Sequence, residues 1–149
     1  APAIGEVDAF LRESEPARER VMEAHPEVCF RGLKGERLDH SKTGAMGVGE
    51  RLDALDGHLD DPGTALGRIC RDLFDAAEEG TTETDSGETD SAAVDDADAT
   101  VDDAVDALGL AVVARRPRDE LRFLPEGAAH RDGEGIPMRM AYWSPEPLA

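Results

Sequence analysis

Lysine is almost missing from this chain. Lys34 and Lys42 are the only two among 149 residues, so arginine supplies nearly all of the positive charge. Aromatic side chains are scarce too, with one Trp and one Tyr. Two cysteines, Cys29 and Cys70, are too few and too isolated to read as a disulfide scaffold. No apolar run approaches the length of a membrane span, and no secretory leader is expected. A soluble, cytoplasmic protein with no membrane partner is therefore expected. The opening residues, APAIGEVDAF, include no initiator Met, which leaves room for a segment lost upstream.

Acid is what the chain has in quantity: its formal charge is -18. With abundant Ala, Gly and Asp, that balance fits a protein kept soluble by an acidic surface in a very salty, halophilic cytoplasm. In ordinary buffer it would argue against a nucleic-acid partner, because the phosphate backbone rewards clustered Lys and Arg. In molar salt the Debye length falls to roughly 3 Å, and net charge neither supports nor excludes such a partner. A length of 149 residues suggests one domain with one core.

The most informative stretch is residues 19–33, ERVMEAHPEVCFRGL. Side chains alternate across a strand, so a strand over Arg20–His25 puts Val21, Glu23 and His25 on one face and Met22 and Ala24 on the other. Pro26 keeps His25 extended and fits the first turn of a following helix, Pro26–Leu33. A carboxylate and an imidazole are thus projected from a strand's C-terminal end, where open α/β sheets place their chemistry.

Helical spacing predicts an amphipathic helix over Pro2–Ser14, carrying Ile4, Val7, Phe10 and Leu11. Further helices are expected over residues 46–60 and 63–79, separated at Asp61-Pro62. From Glu78 to Asp98 the composition turns acidic, without apolar periodicity, and reads as a disordered, solvated insertion. A helix from Thr100 to Arg115 comes after it, with Thr100 as N-cap and Pro117 as stop. Its apolar face is Val101, Ala104, Val105, Leu108, Ala111 and Val112. A final strand is expected over Met138–Trp143. The organisation is then one domain in two parts, residues 1–77 and 99–149, around the insertion at 78–98. Two strands alone make a poor core, so either much of a sheet lies outside this chain or the fold is mainly helical.

These residues resemble a known family, the predicted RNase H-like nucleases grouped as domain of unknown function 429. Its strand-to-helix motif resembles Glu23-Ala24-His25-Pro26-Glu27-Val28-Cys29-Phe30. Its Ser-Lys element is similar to Ser41-Lys42-Thr43, continuing into Gly47, Arg51 and Leu52. Its C-terminal helix motif resembles Asp102-Asp103-Ala104-Val105-Asp106-Ala107, and its closing strand Gly135-Ile136-Pro137-Met138. Four ordered motifs cover most of the chain outside the insertion. The family's first strand, with its Asp-Gly pair, has no counterpart here. The resemblance therefore implies the C-terminal portion of an α/β, RNase H-like fold, helix-rich and incomplete, with the N-terminal strands absent or supplied in trans.

The implied activity is metal-dependent phosphodiester hydrolysis, with Mg²⁺ or Mn²⁺ as cofactor and nucleic acid as partner. Hard cations prefer oxygen ligands, and paired ions relieve charge on the leaving oxygen. Glu23, Asp103 and Asp106 are the candidate metal ligands, the last two spaced i, i+3 on one helix face. His25 is placed to orient a water or a phosphate oxygen, and Lys42 to contact substrate. Bland counterparts stand beside each. Asp102 and Asp103 fall in a first helical turn, which favours acids in any protein. Glu23 would also suit the solvated end of a strand, and His25 a helix cap. His25 and Cys29 at i, i+4 form a weaker nucleophile pair, against a buried apolar Cys. Arg115, Arg116, Arg118 and Arg122 suit either a nucleic-acid backbone or helix capping and solvation. The alternatives to a nuclease are a catalytically silent scaffold binding nucleic acid or protein, and an acidic interaction module. Exposed edges of a truncated sheet would invite self-association into a homo-oligomer.

Overall fold

A computed structural model of the chain describes residues 2–80 and 99–148. Among them lie six α-helices: α1 (Pro2–Glu13), α2 (Glu15–Arg20), α3 (Pro26–Lys34), α4 (Ala45–Leu55), α5 (Pro62–Gly80) and α6 (Val101–Ala114). Four short strands complete the chain: β1 (Leu121–Leu124), β2 (His130–Arg131), β3 (Pro137–Met138) and β4 (Met140–Trp143). The architecture is mixed α/β and helix-rich, as expected. Both strand pairs, β1 with β4 and β2 with β3, are antiparallel. The expected disordered insertion lies, over residues 81–98, outside the described residues, while its first three positions complete α5.

The expected strand over Arg20–His25 is corrected at its start. Ser14 takes the N-cap of α2 and accepts a hydrogen bond from the Ala17 N–H, Pro16 fills the first turn, and helix continues through Arg20. Beyond Arg20 the chain is extended, and its one sheet contact is a parallel bridge from Glu23 to Met140, with the Ala141 N–H donating to the Glu23 carbonyl at 2.7 Å. Its alternation holds: Val21, Glu23 and His25 are exposed, while Met22 and Ala24 are half-buried. The helix expected over 46–60 stops at Leu55, because Asp56 turns extended and Gly57 takes a left-handed φ of 78°. The final strand divides at Arg139, and β1 was not expected at all.

The core lies between α3 and α6, closed by α4, α5 and β4. Cys29, Phe30 and Leu33 meet Leu55, Val105, Leu108, Val112 and Tyr142 there. Gly109 makes the α3–α6 approach possible, since a Cβ there would stand 2.5 Å from the Phe30 ring. Gly109 and Val113 face the core, whereas Val101 and Ala111, expected inside, face solvent. Helix α1 forms as predicted, yet Ile4, Val7 and Phe10 remain exposed. No described helix is long and apolar enough to cross a membrane.

Candidate functional site

The site begins with a loop, residues 39–44, that carries Lys42 towards the start of α6. Two neighbouring residues of α4 clamp its backbone with opposite charges. Glu50 accepts the N–H groups of Asp39 and His40 at 2.8 and 2.9 Å and pairs with Lys34 at 2.8 Å. Those donors, Lys34 foremost, hold its carboxyl down at about 2. Arg51, 2% exposed, donates to the carbonyls of Gly47 at 3.0 Å and His40 at 3.4 Å. Its other terminal nitrogen reaches both Glu27 oxygens, at 2.8 and 2.7 Å. Gly47 lets α4 and the loop touch, because a Cβ there would fall 1.9 Å from the Ser41 carbonyl oxygen.

From this clamped loop the Lys42 ammonium reaches the Asp106 carboxylate at 2.8 Å and Asp102 at 3.5 Å. The two acids are one helical turn apart and converge on one cation. Pairing with Asp106 first, and Asp102 second, raises the Lys42 pKa above its ordinary value. Asp106 is the more enclosed acid, its side chain 14% exposed, and its second oxygen, Oδ1, is buried without a hydrogen-bond partner. An orphaned buried acceptor of this kind is uncommon and calls for a physical reason.

Asp103 is engaged elsewhere. The Thr100 N–H donates to its carboxylate at 2.9 Å, and the Asp103 N–H donates back to the Thr100 hydroxyl at 3.4 Å, closing a capping box. That contact with Thr100 is the main reason its pKa lies below the ordinary value. The Thr100 hydroxyl also touches Asp102 at 2.7 Å, which lowers the Asp102 pKa ahead of the contribution from Lys42. So the structure gathers Asp102 and Asp106, one turn apart, where the spacing had suggested Asp103 and Asp106. The i, i+4 signal was present in the sequence, and the cap at Thr100 decides between the two. Glu50 and Arg51, which sequence reasoning missed as supports, are legible only as opposite charges set within a helix of small and apolar residues.

Glu23 and His25 stand on the exposed face of the extended segment before α3. Among the described residues neither side chain has a hydrogen-bond or ion-pair partner, and His25 occupies the α3 N-cap without a capping bond. Glu23 lines a cleft of about 170 Å³ with Arg18, Arg118, Phe123 and Arg139. No group of three or more His, Cys, Asp or Glu is gathered to hold a metal ion among the described residues. Cys29 is fully buried, with its sulfur 3.8 Å from the Ala141 carbonyl, and burial pushes its thiol up to about 11. The weaker Cys29–His25 pair is not formed, since His25 is exposed. Three of the four arginines considered for nucleic acid are committed within the chain. Arg116 lies over the Trp143 ring at 4.2 Å, Arg118 binds the Glu19 carbonyl, and Arg122 the carbonyls of Ser144 and Pro145.

Comparison with known proteins matches residues 1–130 to a family described as "Protein of unknown function (DUF429)". No curated protein and no solved structure matches the chain.

Proposed function

The chain belongs to the DUF429 family, and from that premise we propose that it is a metal-dependent nuclease of RNase H-like design, hydrolysing phosphodiesters at the start of α6. The convergence of Asp102 and Asp106 on a single cation, the Lys42 ammonium, carries this reading. The donor set fits a hard divalent ion. Both groups are carboxylates, one Asp106 oxygen lacks a partner, and Mg²⁺ is commonly held by one or two carboxylates with waters and phosphate completing its shell. Bound there, Mg²⁺ or Mn²⁺ would supply Lewis-acid stabilisation of the negative charge that develops on the phosphoryl and leaving oxygens.

The chain's own residues do the rest. Asp106 is the principal ligand, a largely enclosed side chain on the second turn of α6, and Asp102 joins it from the first turn. Asp103 acts indirectly, fixing the start of the helix that carries both. Glu23 and His25, without partners among the described residues, are the groups available to accept a proton from water or to meet a phosphate oxygen. The parallel bridge that seats Glu23 beside β4 supports an α/β arrangement of RNase H type.

The test is hydrolysis of labelled single- and double-stranded DNA and RNA in molar KCl with Mn²⁺. Cleavage should appear with the native chain and fall at least about a hundredfold in Asp106→Asn, the scale of losing a group that acts in the transition state. Cleavage that survives this substitution would place the chemistry elsewhere. A second reading, a silent scaffold, is favoured by the commitment of Asp103 to its cap. Metal-independent nucleic-acid binding, unchanged in Asp106→Asn and without cleavage, would select it.

A further inference from the structure

We propose that Lys42 is a tethered counter-cation, holding Asp102 and Asp106 together until a divalent ion displaces it, so that this lysine sets the affinity and selectivity of the site. The inference rests on the reading of these carboxylates as the metal ligands. Two like charges one turn apart on a helix repel one another, and here a single ammonium answers both.

The fit is good enough to hold the acids and incomplete enough to be exchanged. Lys42 lies 2.8 Å from one oxygen of Asp106 but 3.5 Å from Asp102, and it leaves Asp106 Oδ1 buried without a partner. A doubly charged ion with several coordination positions can meet both deficits at once. Lys42 is also free to leave. Glu50 and Arg51 fix the backbone just before it, at Asp39 and His40, and among the described residues the two acids alone hold the ammonium, whose side chain is 37% exposed on a flexible four-carbon stem. The loop therefore delivers the lysine accurately while leaving its head tied to the two acids alone among the described residues. A divalent ion must outcompete a charge already in position, which disfavours weakly held cations such as K⁺.

The chain's poverty in lysine makes the exchange directly observable, because Lys34 is an internal reference for Lys42. Brief acylation by a water-soluble amine reagent, read by peptide mass spectrometry, should label Lys42 severalfold faster relative to Lys34 once Mn²⁺ is added. The second measurement is calorimetric titration with Mn²⁺ alone. Lys42→Gln should bind about tenfold more tightly than the native chain, and Lys42→Arg should restore near-native affinity, since it keeps the competing charge. If Mn²⁺ binds the native chain in an Asp106-dependent way, yet leaves Lys42 labelling unchanged and binds Lys42→Gln no better, the counter-cation role is wrong and the metal site stands. If Mn²⁺ binds neither the native chain nor Lys42→Gln, the metal site and this role fall together.

Discussion

Glu50 shows how much a single carboxylate does here at the scale of the residue. It closes the base of the Lys42 loop by accepting two backbone N–H groups and pairing with Lys34. Its carboxyl is depressed from 4.5 to about 2. A depressed folded-state value stabilises the fold fully above the ordinary value, and that stabilisation disappears as pH falls from about 4.5 towards 2. Glu50→Gln should therefore lower the melting temperature at neutral pH and flatten this part of the acid limb. Urea unfolding of both proteins from pH 6 to pH 2 would show it, and parallel curves would deny the clamp. Its role was hidden in the sequence because it depends on a loop folding back over ten residues. The competition between Asp102 and Asp103 was half legible. Periodicity put both near Asp106, and only the hydroxyl of Thr100 commits Asp103 to the helix end.

At the scale of elements, α3 and α6 form the framework, and their separation is set by Gly109 against Phe30. A methyl group there would meet the ring inside contact distance, with Phe30 fully buried and unable to yield. Gly109→Ala should cost about 1–3 kcal/mol, the range for overpacking a close-packed core. Chemical denaturation would measure it, and a neutral result would mean that α6 can shift outwards. The long helices were readable because their apolar periodicity and caps agree: Thr100 caps α6 as expected, and Pro62 opens α5. The short elements were not. Helix α2 has six residues and one buried side chain, Ala17, so its signal is the Ser14 cap and Pro16 rather than a stripe. Strand β1 is four half-buried residues interrupted by Arg122, and pairing with β4 defines it. The segment before α3 reads as a strand in sequence and is extended in the structure, but a single bridge is all that binds it to β4.

Across the whole molecule the charge of -18 governs conditions as much as the fold governs geometry. Self-repulsion of that size opposes the compact state, and it is screened as the Debye length shortens from about 10 Å at 0.1 M salt to about 3 Å at 1 M. Diffuse attraction of cations is screened in the same way, so binding that survives molar KCl must come from specific ligands. That makes thermal unfolding in molar KCl, with and without millimolar Mn²⁺, the most direct test of the carboxylate site. A ligand that binds only the folded chain must raise its melting temperature. The native protein should gain about 5 °C with Mn²⁺ at a hundredfold excess over its dissociation constant, and Asp106→Asn should gain nothing. An equal shift in both proteins, or none in the native chain, would contradict a metal site at Asp102 and Asp106.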